Sequence, residues 1–433
     1  MDAVFQPRSV AVYGASRNPA KLGSVLLANV RAGGFQGPVT SVNPNDPDAL
    51  PSLREAVDLA LVSVPAAAVE AAVQDAARAG CAAAIVLSSG FGETDDEGRR
   101  LEGRLRDTAL AAGMRLVGPN CMGVVSRSDA GWLNASYFWR LPEVAGPVSM
   151  VSQSGAFGGM FFSEARRRGL GVARFLSVGN SADVTETDAL DWLGTDAATG
   201  VIGMFVEAFR DGRRFVEVAS AVDKQIVVLK AGKESAGARA AASHTGSLAG
   251  RHGAVQAAFA RAGVIEAADS DAFFDALTAL AARPPAPAGR RIAVLTISGG
   301  PGVLASDAAE RLGLELPPPG PGTVARVREL APGFAAAGNP VDLTPQCPPA
   351  NFAAAIRAVF DDPVYEGVVV INCGLDIPEF GAGVVEARRA TGKPVTAFLL
   401  DVPAIEAALV SEGIPLLGSP ERAVAAYRAL VWP

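Results

Sequence analysis

The feature that most constrains the fold is an alternation of short apolar runs, rich in β-branched residues, with alanine-rich stretches. The N-terminal part contains the runs SVAVYGAS, VTSVNP, DLALVSVP, AAAIVLSSGF and RLVGPN, each of which ends in small or turn residues. Strands that alternate with helices form βαβ units and therefore a parallel sheet. Because such sheets bind ligands beyond the carboxyl ends of their strands, the residues that end these runs are expected to line one crevice.

The alternation recurs twice, and predicts an α/β chain of three domains. A second series contains GPVSMVSQSG, ARFLSVGN, GVIGMFVEAF and KQIVVLKAG, and a third contains RRIAVLTISGGPG, EGVVVINCG, KPVTAFLL and IPLLGS. The pattern lapses between Ser126 and Pro147, and a proline-rich linker runs from Arg283 to Gly289. Since a domain has about 150 residues, we expect a first domain at 1–127, a second at 145–283 and a third at 289–433.

Charge, hydropathy and cysteine usage exclude several classes of protein. The formal net charge of -7 argues against a nucleic-acid or anionic-membrane surface. No apolar run approaches the roughly 20 residues that span a bilayer, and the N-terminal MDAVFQPRSVAVYG has no signal-peptide pattern, so we expect a cytoplasmic protein. The cysteines lack CxxC spacing, and neither a metal site nor a disulfide framework is expected.

The first strand is followed by a glycine turn that opens a helix, from Gly14 to Gly23. Backbone donors and the positive helix end at such a turn favour a phosphate, although similar turns also serve simple packing. The dinucleotide fingerprint fails, because Ser16 and Pro19 occupy its second and third glycine positions. Arg17 and Lys21 suit the extra phosphate of coenzyme A, or are ordinary solvated helix charges.

A histidine in a small-residue segment is the candidate nucleophile. His244 lies in ASHTGSLAG rather than on an apolar periodic face, and a neutral imidazole nitrogen accepts phosphoryl groups near neutral pH. The alternative is a loop histidine without a catalytic role. His252 begins a helical run and is interpreted as structural.

Two features of the second series favour a phosphoryl group near His244. The segment Ser152-Gln153-Ser154-Gly155 follows a strand and starts a helix, so it offers hydroxyls, amides and a positive dipole. Glu207 ends another strand, where its carboxylate either orients the imidazole or forms a salt bridge. In the third series, Gly299 and Gly300 also join a strand to a helix, as an anion site or as a tight turn.

The run-ending motifs of the first domain resemble a known family. GASRNPAKLG, VNP, SVPAAAV, LSSGFGE and GPNCMGV, in this order, resemble the CoA-binding domain of succinyl-CoA synthetase α-subunits and ADP-forming acyl-CoA synthetases. Cys121 falls near the expected thiol end, with a buried small hydrophobe as its alternative. The resemblance implies that CoA is surrounded by Gly14, Ser16, Lys21, Asn43, Pro44, Val64, Pro65, Ser88, Gly90 and Asn120, with Arg17 near the turn.

The later motifs extend the resemblance over nearly the whole chain. GPVSMVSQSGAFG, RFLSVGNSADV and AAASHTGSLAG resemble the family's ligase-CoA domain, whereas SGGPG and GNPVDLT resemble a C-terminal flavodoxin-like domain. The implied fold is a Rossmann-like CoA-binding domain followed by two flavodoxin-like parallel-sheet domains. The implied roles are a phosphohistidine at His244, its orientation by Glu207, and phosphate binding at Ser152–Gly155 and at the helix start of Gly299 and Gly300.

The implied function is that of the α-type chain of a nucleoside-diphosphate-forming acyl-CoA synthetase. A synthetase also needs an ATP-grasp module, for which no region is evident, and the Walker A pattern fails because Glu234 follows Gly232-Lys233. We therefore expect a hetero-oligomer whose partner chain binds ATP or ADP with Mg²⁺. Two alternatives remain, a noncatalytic acyl-CoA sensor and an NAD-dependent oxidoreductase, and the second is weakened by the failed fingerprint.

Overall fold

The computed structural model describes residues 1–128, 131–237, 239, 252–282 and 288–431. It divides the chain into two compact units, Met1–Glu266 and Ala267–Pro433. This division differs from the three segments predicted above, since one unit contains both of the first two series. It also moves a helix that we assigned to the second series into the C-terminal unit, for reasons given below.

The first sheet is parallel throughout, as predicted. Its strand order is β2-β1-β3-β4-β5, and every residue of β1, β3 and β4 is buried. The order changes direction between β1 and β3, which is where parallel sheets bind ligands. The strands are β1 Val10–Tyr13, β2 Val39–Val42, β3 Leu59–Val62, β4 Ala83–Val86 and β5 Arg115–Val117, and the helices are α1 Asp2–Phe5, α2 Leu22–Ala32, α3 Ala66–Ala79 and α4 Asp96–Ala111.

The stretch that we expected to be irregular forms an antiparallel hairpin. Strands β6 Gly123–Ser128 and β7 Gly131–Ser136 pair with each other, and β6 pairs antiparallel with β9 of the second sheet. The Asn29 side-chain amide in α2 donates to the Ser136 carbonyl at 2.8 Å, which fastens the hairpin to the first sheet's helix layer. The hairpin therefore connects the first two series, which fall in one compact unit, and the boundary between 127 and 145 stays a prediction.

The second sheet has the order β12-β11-β10-β8-β9-β6-β7, in which β8 to β12 are parallel. Its buried core residues are continuous with those of the first sheet, because Val124, Leu133 and Val151 belong to the same cluster as Val12. The strands are β8 Val148–Ser152, β9 Val172–Ser177, β10 Val201–Val206, β11 Gln225–Lys230 and β12 Ile265–Glu266, and the helices are α5 Gly155–Arg167, α6 Glu186–Thr195, α7 Gly212–Ala221 and α8 His252–Arg261.

The C-terminal unit contains the third sheet, with the order β14-β15-β13-β16-β17 and a single antiparallel pair, β14 with β15. Together with the other two sheets it confirms the predicted α/β class and the flavodoxin-like character of the later series. The strands are β13 Ile292–Thr296, β14 Ala336–Ala337, β15 Val341–Asp342, β16 Gly367–Cys373 and β17 Val395–Leu400. The helices are α9 Ser270–Ala281, α10 Gly299–Arg311, α11 Pro321–Leu330, α12 Phe352–Asp361, α13 Pro378–Thr391, α14 Pro403–Ser411 and α15 Pro420–Leu430, and a 3₁₀ turn spans Pro349–Asn351.

Helix α9 belongs to this unit because it packs on α15. Arg422 donates to both oxygens of the buried Asp275 carboxylate, at 2.6 and 2.7 Å, and Ala279 shares an apolar cluster with Val424 and Ala426. Helix α9, which precedes the predicted linker, therefore packs within the C-terminal unit. Of the linker itself, residues 283–287 lie outside the described residues.

Within the described ranges, no helix combines the length and the apolar character needed to cross a bilayer.

Candidate functional site

The carboxyl ends of the first sheet open into a cleft of about 960 Å³. That volume lies in the range of sites for small molecules and cofactors, roughly 300 to 1,000 Å³. The sequence predicted that the run-ending residues line one crevice, and the family resemblance implied which of them surround CoA. The predicted CoA-site residues that the structure brings together here are Gly14, Ser16, Lys21, Asn43, Pro44, Val64, Pro65 and Ser88.

The glycine turn after β1 needs its glycines for close backbone contact. Gly14 has a φ of +94°, and a Cβ on it would clash with the Ser63 carbonyl oxygen. A Cβ on Gly23 would in turn clash with the Gly14 carbonyl oxygen. The turn therefore holds the start of α2 directly against the strand ends.

Two helices begin at this cleft without a side-chain cap. Lys21 is the N-cap of α2 and Pro65 is the N-cap of α3, and neither side chain accepts a hydrogen bond from the first turn. The amides of a helix N-terminus carry a partial positive charge and are suited to phosphate oxygens. The cleft thus has two uncapped helix ends at the carboxyl edge of the sheet, which belong to helices packed on opposite faces of that sheet.

The two cations that the sequence proposed for a phosphate differ in their surroundings. The Arg17 guanidinium is paired with Asp48 at 2.7 Å and lies 3.8 Å from Asp46. Lys21 lines the cleft, and no ion pair in the described part of the chain includes it. Arg17 is not part of the lining, whereas Lys21 is, and a phosphate contact of either residue stays a prediction.

The loops that follow β2, β3 and β4 are fixed by side-chain hydrogen bonds. The Asn43 amide donates to the Ala15 carbonyl at 2.8 Å, and its oxygen accepts from Asn45 at 3.0 Å. The Ser88 hydroxyl donates to the Val64 carbonyl at 2.6 Å and accepts from the Val64 amide at 3.2 Å. These polar side chains shape the cleft before any ligand is bound.

Two tyrosines that the sequence analysis did not assign to the site also line the cleft. The Tyr13 hydroxyl donates to Asp75 at 3.0 Å, and the Tyr137 hydroxyl lies 2.7 Å from the Ser63 hydroxyl. Burial raises the pKa of Tyr137 to about 12, and burial next to Asp75 raises the pKa of Tyr13. Tyr137 was missed because it follows the hairpin, whereas Tyr13 could have been found as the last residue of the first run.

Besides Arg17, three predicted residues lie outside the lining of the cleft. Cys121 is 4% exposed, and its thiol donates to the Val86 carbonyl at 3.3 Å. Burial raises the pKa of this thiol to about 12, so Cys121 is a neutral packing residue, as its alternative interpretation held. The Gly90 amide donates to Glu93 at 2.6 Å, and the Asn120 amide donates to the Ser88 carbonyl at 2.9 Å.

The second predicted site lies at the start of α5. Ser154 is the N-cap of this helix, and its hydroxyl oxygen accepts from the Phe157 amide at 3.3 Å. The Ser152 hydroxyl donates to the Ser154 carbonyl at 2.6 Å. A Cβ on Gly155 would lie 2.5 Å from Met122 Cγ, so this glycine permits close packing. Among the described residues the Ser154 hydroxyl is seen only as an acceptor, and its predicted contact with a phosphate stays a prediction.

Within the predicted phosphate-binding segment, the Gln153 side chain makes its hydrogen bonds to neighbouring parts of the protein. Its side-chain nitrogen donates to Glu186 at 3.1 Å and to the Ala208 carbonyl at 2.7 Å. Its side-chain oxygen accepts from the amides of Glu207 and Ala208, at 2.6 and 3.1 Å. Because both ends of the amide are committed, Gln153 fixes the segment that carries Glu207, and its predicted contact with a phosphate stays a prediction.

The backbone of Glu207 is held from a second side. The Lys230 ammonium donates to the Glu207 carbonyl at 2.6 Å and also to the Ala231 carbonyl. Burial lowers the pKa of Lys230, whereas the nearby Glu207 and Glu266 carboxylates act in the opposite direction. Glu207 itself is 8% exposed, so its carboxylate occupies a defined and largely dry position at the end of β10.

The two histidines differ in what the structure describes. His244 lies in the segment 240–251, outside the described residues, so its predicted contacts stay predictions. His252 begins α8, and its Nε2 lies 3.6 Å from the Glu266 carboxylate.

The third predicted helix start is less open than its sequence suggests. Helix α10 begins at Gly299, and its N-cap Ser298 makes no side-chain cap but accepts from the Cys373 amide at 3.1 Å. A Cβ on Gly299 would lie 2.9 Å from the Asp342 carboxylate, whereas a Cβ on Gly300 would meet no atom within 4 Å. An acidic group therefore already lies next to this helix end, which sequence reasoning missed, and only the Gly300 side is open.

Three family models match successive segments of the chain. Residues 8–127 match a CoA binding domain, residues 145–280 a succinyl-CoA ligase like flavodoxin domain, and residues 292–425 a Ligase-CoA domain. The Ligase-CoA description thus falls on the C-terminal segment, whereas the motif resemblance assigned it to residues 145–283.

Related proteins match the chain over its whole length. The chain is 35% identical to "Acetate--CoA ligase [ADP-forming] II subunit alpha" of Pyrococcus furiosus, over 100% of this chain and 97% of that one. It is 38% identical to "Acetate--CoA ligase [ADP-forming] I" of Archaeoglobus fulgidus, but spans only 63% of that protein's length. Among solved structures, the acetyl-coenzyme A synthetase 1 of Ca. Korarchaeum cryptofilum, in complex with phosphate and ADP, has a TM-score of 0.91 at 34% identity, covering 99% of this chain and 96% of that one.

Proposed function

This chain belongs to the ADP-forming acyl-CoA synthetases as an α-type chain, and from this premise we propose that it binds CoA in the cleft of the first sheet and transfers phosphate through His244. The reaction interconverts acyl-CoA, phosphate and ADP with a carboxylic acid, CoA and ATP. The observation that carries the proposal is the convergence of Gly14, Lys21, Asn43, Ser88 and their neighbours round one cleft. Residues from four of the five motifs that implied CoA binding meet there although they are dispersed along the sequence.

The cleft suits CoA in size and in chemistry. Its volume of about 960 Å³ admits a nucleotide with a pantetheine arm. The uncapped ends of α2 and α3 and the Lys21 ammonium supply donors and positive charge for phosphate oxygens. Gly14 and Gly23 leave room at the strand ends, where any side chain would fill the space against the backbone.

The proposed chemistry begins with attack of phosphate on the thioester carbon of bound acyl-CoA. The C–S bond breaks, the thiol of CoA leaves, and an acyl phosphate forms. A nitrogen of His244 then attacks the phosphorus, and the P–O bond to the acyl group breaks as the carboxylate leaves. Ser154 and the N-terminus of α5 stabilise the phosphoryl charge, and Glu207 holds the imidazole in the tautomer that leaves one nitrogen free to attack.

The phosphoryl group must then reach a nucleotide, and we propose that an ATP-grasp partner chain binds ADP or ATP with Mg²⁺. Support comes from the relative that is named as a subunit alpha, and from the Archaeoglobus protein, of which this chain spans 63%. The greater length of the Archaeoglobus protein is also compatible with an ATP-grasp module on the same polypeptide. The cytoplasmic location inferred from the N-terminal sequence stays a prediction.

The two alternatives fit the relatives less well. The relatives named above are ligases, not sensors, and a sensor would need only the first cleft. An NAD-dependent oxidoreductase would need the glycines that Ser16 and Pro19 replace.

A coupled assay tests the proposal directly. The chain is combined with its ATP-grasp partner, acetyl-CoA, phosphate and ADP, because the relatives are named for acetate. We expect equal amounts of free CoA and ATP, and a panel of other acyl-CoA esters then identifies the preferred acyl group. Calorimetry with CoA and with NAD accompanies it, and a folded chain that binds NAD but not CoA would contradict the proposal.

The surroundings of the two candidate cations predict different effects on CoA affinity. Lys21→Ala is expected to raise the Kd for CoA about 10-fold, because an ammonium at an open helix end is lost, and a charged hydrogen bond contributes about 1.5 kcal/mol. Arg17→Ala removes a guanidinium that Asp48 already engages, and should change the Kd less than about 2-fold. Calorimetry on both variants checks the difference, and a larger effect of Arg17→Ala would reverse the assignment.

A further inference from the structure

A loop after β9 connects the CoA cleft with the phosphate-binding end of the second sheet. This bridging loop, residues 178–184, donates from Val178 to the Ser152 carbonyl at 2.9 Å. It also donates from Asn180 to the Pro119 carbonyl at 2.9 Å, just before Asn120, whose amide bonds to Ser88. One loop thus contacts the backbone beside both predicted sites.

The contact between the bridging loop and the first sheet is tight. Gly179 has a φ of +53°, and a Cβ on it would clash with the Pro119 carbonyl oxygen. Asn120 also has a positive φ, of 57°. The two backbones therefore touch directly, and a change in the loop moves the neighbouring end of the first sheet.

The Asn180 side chain lies at the centre of this contact. Its nitrogen donates to Glu93 at 2.6 Å and to Glu102 at 2.8 Å, and its oxygen accepts from the Asn120 amide nitrogen at 3.2 Å. A primary amide has two N–H donors, so both are used. The side chain of Asn180, in the loop after β9, thereby forms hydrogen bonds with three side chains of the N-terminal series.

The two glutamates in turn hold the loop that follows β4. Glu93 accepts from the amides of Gly90 and Phe91, at 2.6 and 3.2 Å, and Glu102 accepts from the Gly92 amide at 3.2 Å. This loop directly follows Ser88 and Ser89, which line the cleft. Asn180 therefore fixes the end of the CoA cleft through two carboxylates.

Hydrogen-bond donors surround both carboxylates. Burial opposes ionisation of Glu93, but hydrogen bonds from Asn180 and from the Gly90 amide outweigh it and lower its pKa. Arg210 lies 3.9 Å from Glu102 and donates to the Asn180 carbonyl at 2.7 Å. The arrangement is thus a charged network whose shared member is the Asn180 amide.

We propose that Asn180 is a positioning residue for the thioester half of the reaction, setting the distance between the thiol end of the CoA cleft and the phosphate-binding end of α5. The inference rests on the proposed function, because phosphate at α5 must attack a thioester held by the first sheet. Reacting atoms must lie about 3 to 3.5 Å apart, and a displacement of about 1 Å costs roughly 100-fold in rate. Asn180 acts through Glu93, Glu102 and Asn120.

The half-reactions separate this role from a general loss of structure. In the complete enzyme, Asn180→Ala should lower the rate of CoA release from acetyl-CoA and phosphate about 100-fold. Phosphorylation of His244 by γ-labelled ATP should keep its wild-type rate, because that step does not use the CoA cleft. The Kd for CoA should change little, since the residues lining most of the cleft are untouched.

A second variant, Asn180→Asp, should change how the rate of the CoA half-reaction depends on pH. Asn180→Asp places a third carboxyl group against Glu93 and Glu102. The neighbouring cations are Arg210, which lies 3.9 Å from Glu102, and Arg99, which donates to the Gly92 carbonyl at 3.4 Å. Repulsion raises the affinity of the new carboxyl for a proton, and the protonated form restores one donor. The defect in the CoA half-reaction should therefore be largest at neutral pH and shrink as the pH falls, which Asn180→Ala should not show.

A matched control is available in the C-terminal unit. The Asn351 amide donates to the Leu330 carbonyl at 2.8 Å, and Asn351→Ala should leave both half-reactions at wild-type rates. Equal losses in both half-reactions of Asn180→Ala, or no loss in either, would overturn the role of Asn180. Failure of the wild-type enzyme to release CoA would instead overturn the proposed function, and with it the inference.

Discussion

Replacement of His244 by alanine is expected to abolish turnover and phosphorylation together, because no other residue carries the phosphoryl group in the proposed mechanism. Loss of a nucleophile lowers the rate by at least about 1,000-fold. The measurement uses γ-labelled ATP with the partner chain and Mg²⁺. A phosphoramidate is stable in alkali and labile in acid, so the wild-type label should survive base and disappear in acid.

The other histidine of the chain is the natural control for this experiment. His252 pairs with Glu266 at the start of α8, and His252→Ala should keep both label and turnover. The His244→Ala chain should bind CoA normally, because distant sites without shared partners act independently. Full synthetase activity in His244→Ala, or label on His252 or on a carboxylate, would contradict the mechanism.

Glu207→Gln should lower the rate of histidine phosphorylation about 100-fold, because the amide keeps the size of the carboxylate but loses its charge. The structure places Glu207 at the end of β10, with its backbone fixed by Gln153 and Lys230. A neutral amide can point either its oxygen or its nitrogen at the imidazole, so it no longer selects one tautomer. Rapid quenching of the labelling reaction measures the rate.

A carboxylate on α5 controls for the loss of one negative charge. Glu164 pairs with Arg167 and Arg168, which lower its pKa to about 2, and it lies ten residues after Ser154. Glu164→Gln should phosphorylate at the wild-type rate, and CoA affinity should be unchanged in both variants. A wild-type labelling rate in Glu207→Gln would assign Glu207 a structural role and leave the orientation of His244 to another group.

The lining of the cleft shows how much of a binding site strand-end motifs can predict. The glycine turn predicted an anion site at the start of α2, and the ends of the β2, β3 and β4 runs predicted Asn43, Val64 and Ser88 as its neighbours. Asn43, Val64 and Ser88 line one cleft because the parallel topology brings all strand ends to one edge, whereas the anion site stays a prediction. Cys121, at the end of the next run, turns inward to Val86, since a strand end can face either the cleft or the core.

The sequence by itself determined the α/β class, the parallel sheets and the family, because a repeated strand–helix period and strand-end motifs are local patterns. Only the tertiary structure decided which charges are available: Asp48 engages Arg17, Gln153 holds Glu207, and Asn180 joins Glu93 to Glu102. Partners such as Asn180 and Glu93 are separated by 87 residues, as Tyr137 and Ser63 are by 74. Such pairs follow from how the sheets pack, and since hydrogen bonds depend on distances of a few tenths of an ångström, no local pattern specifies them.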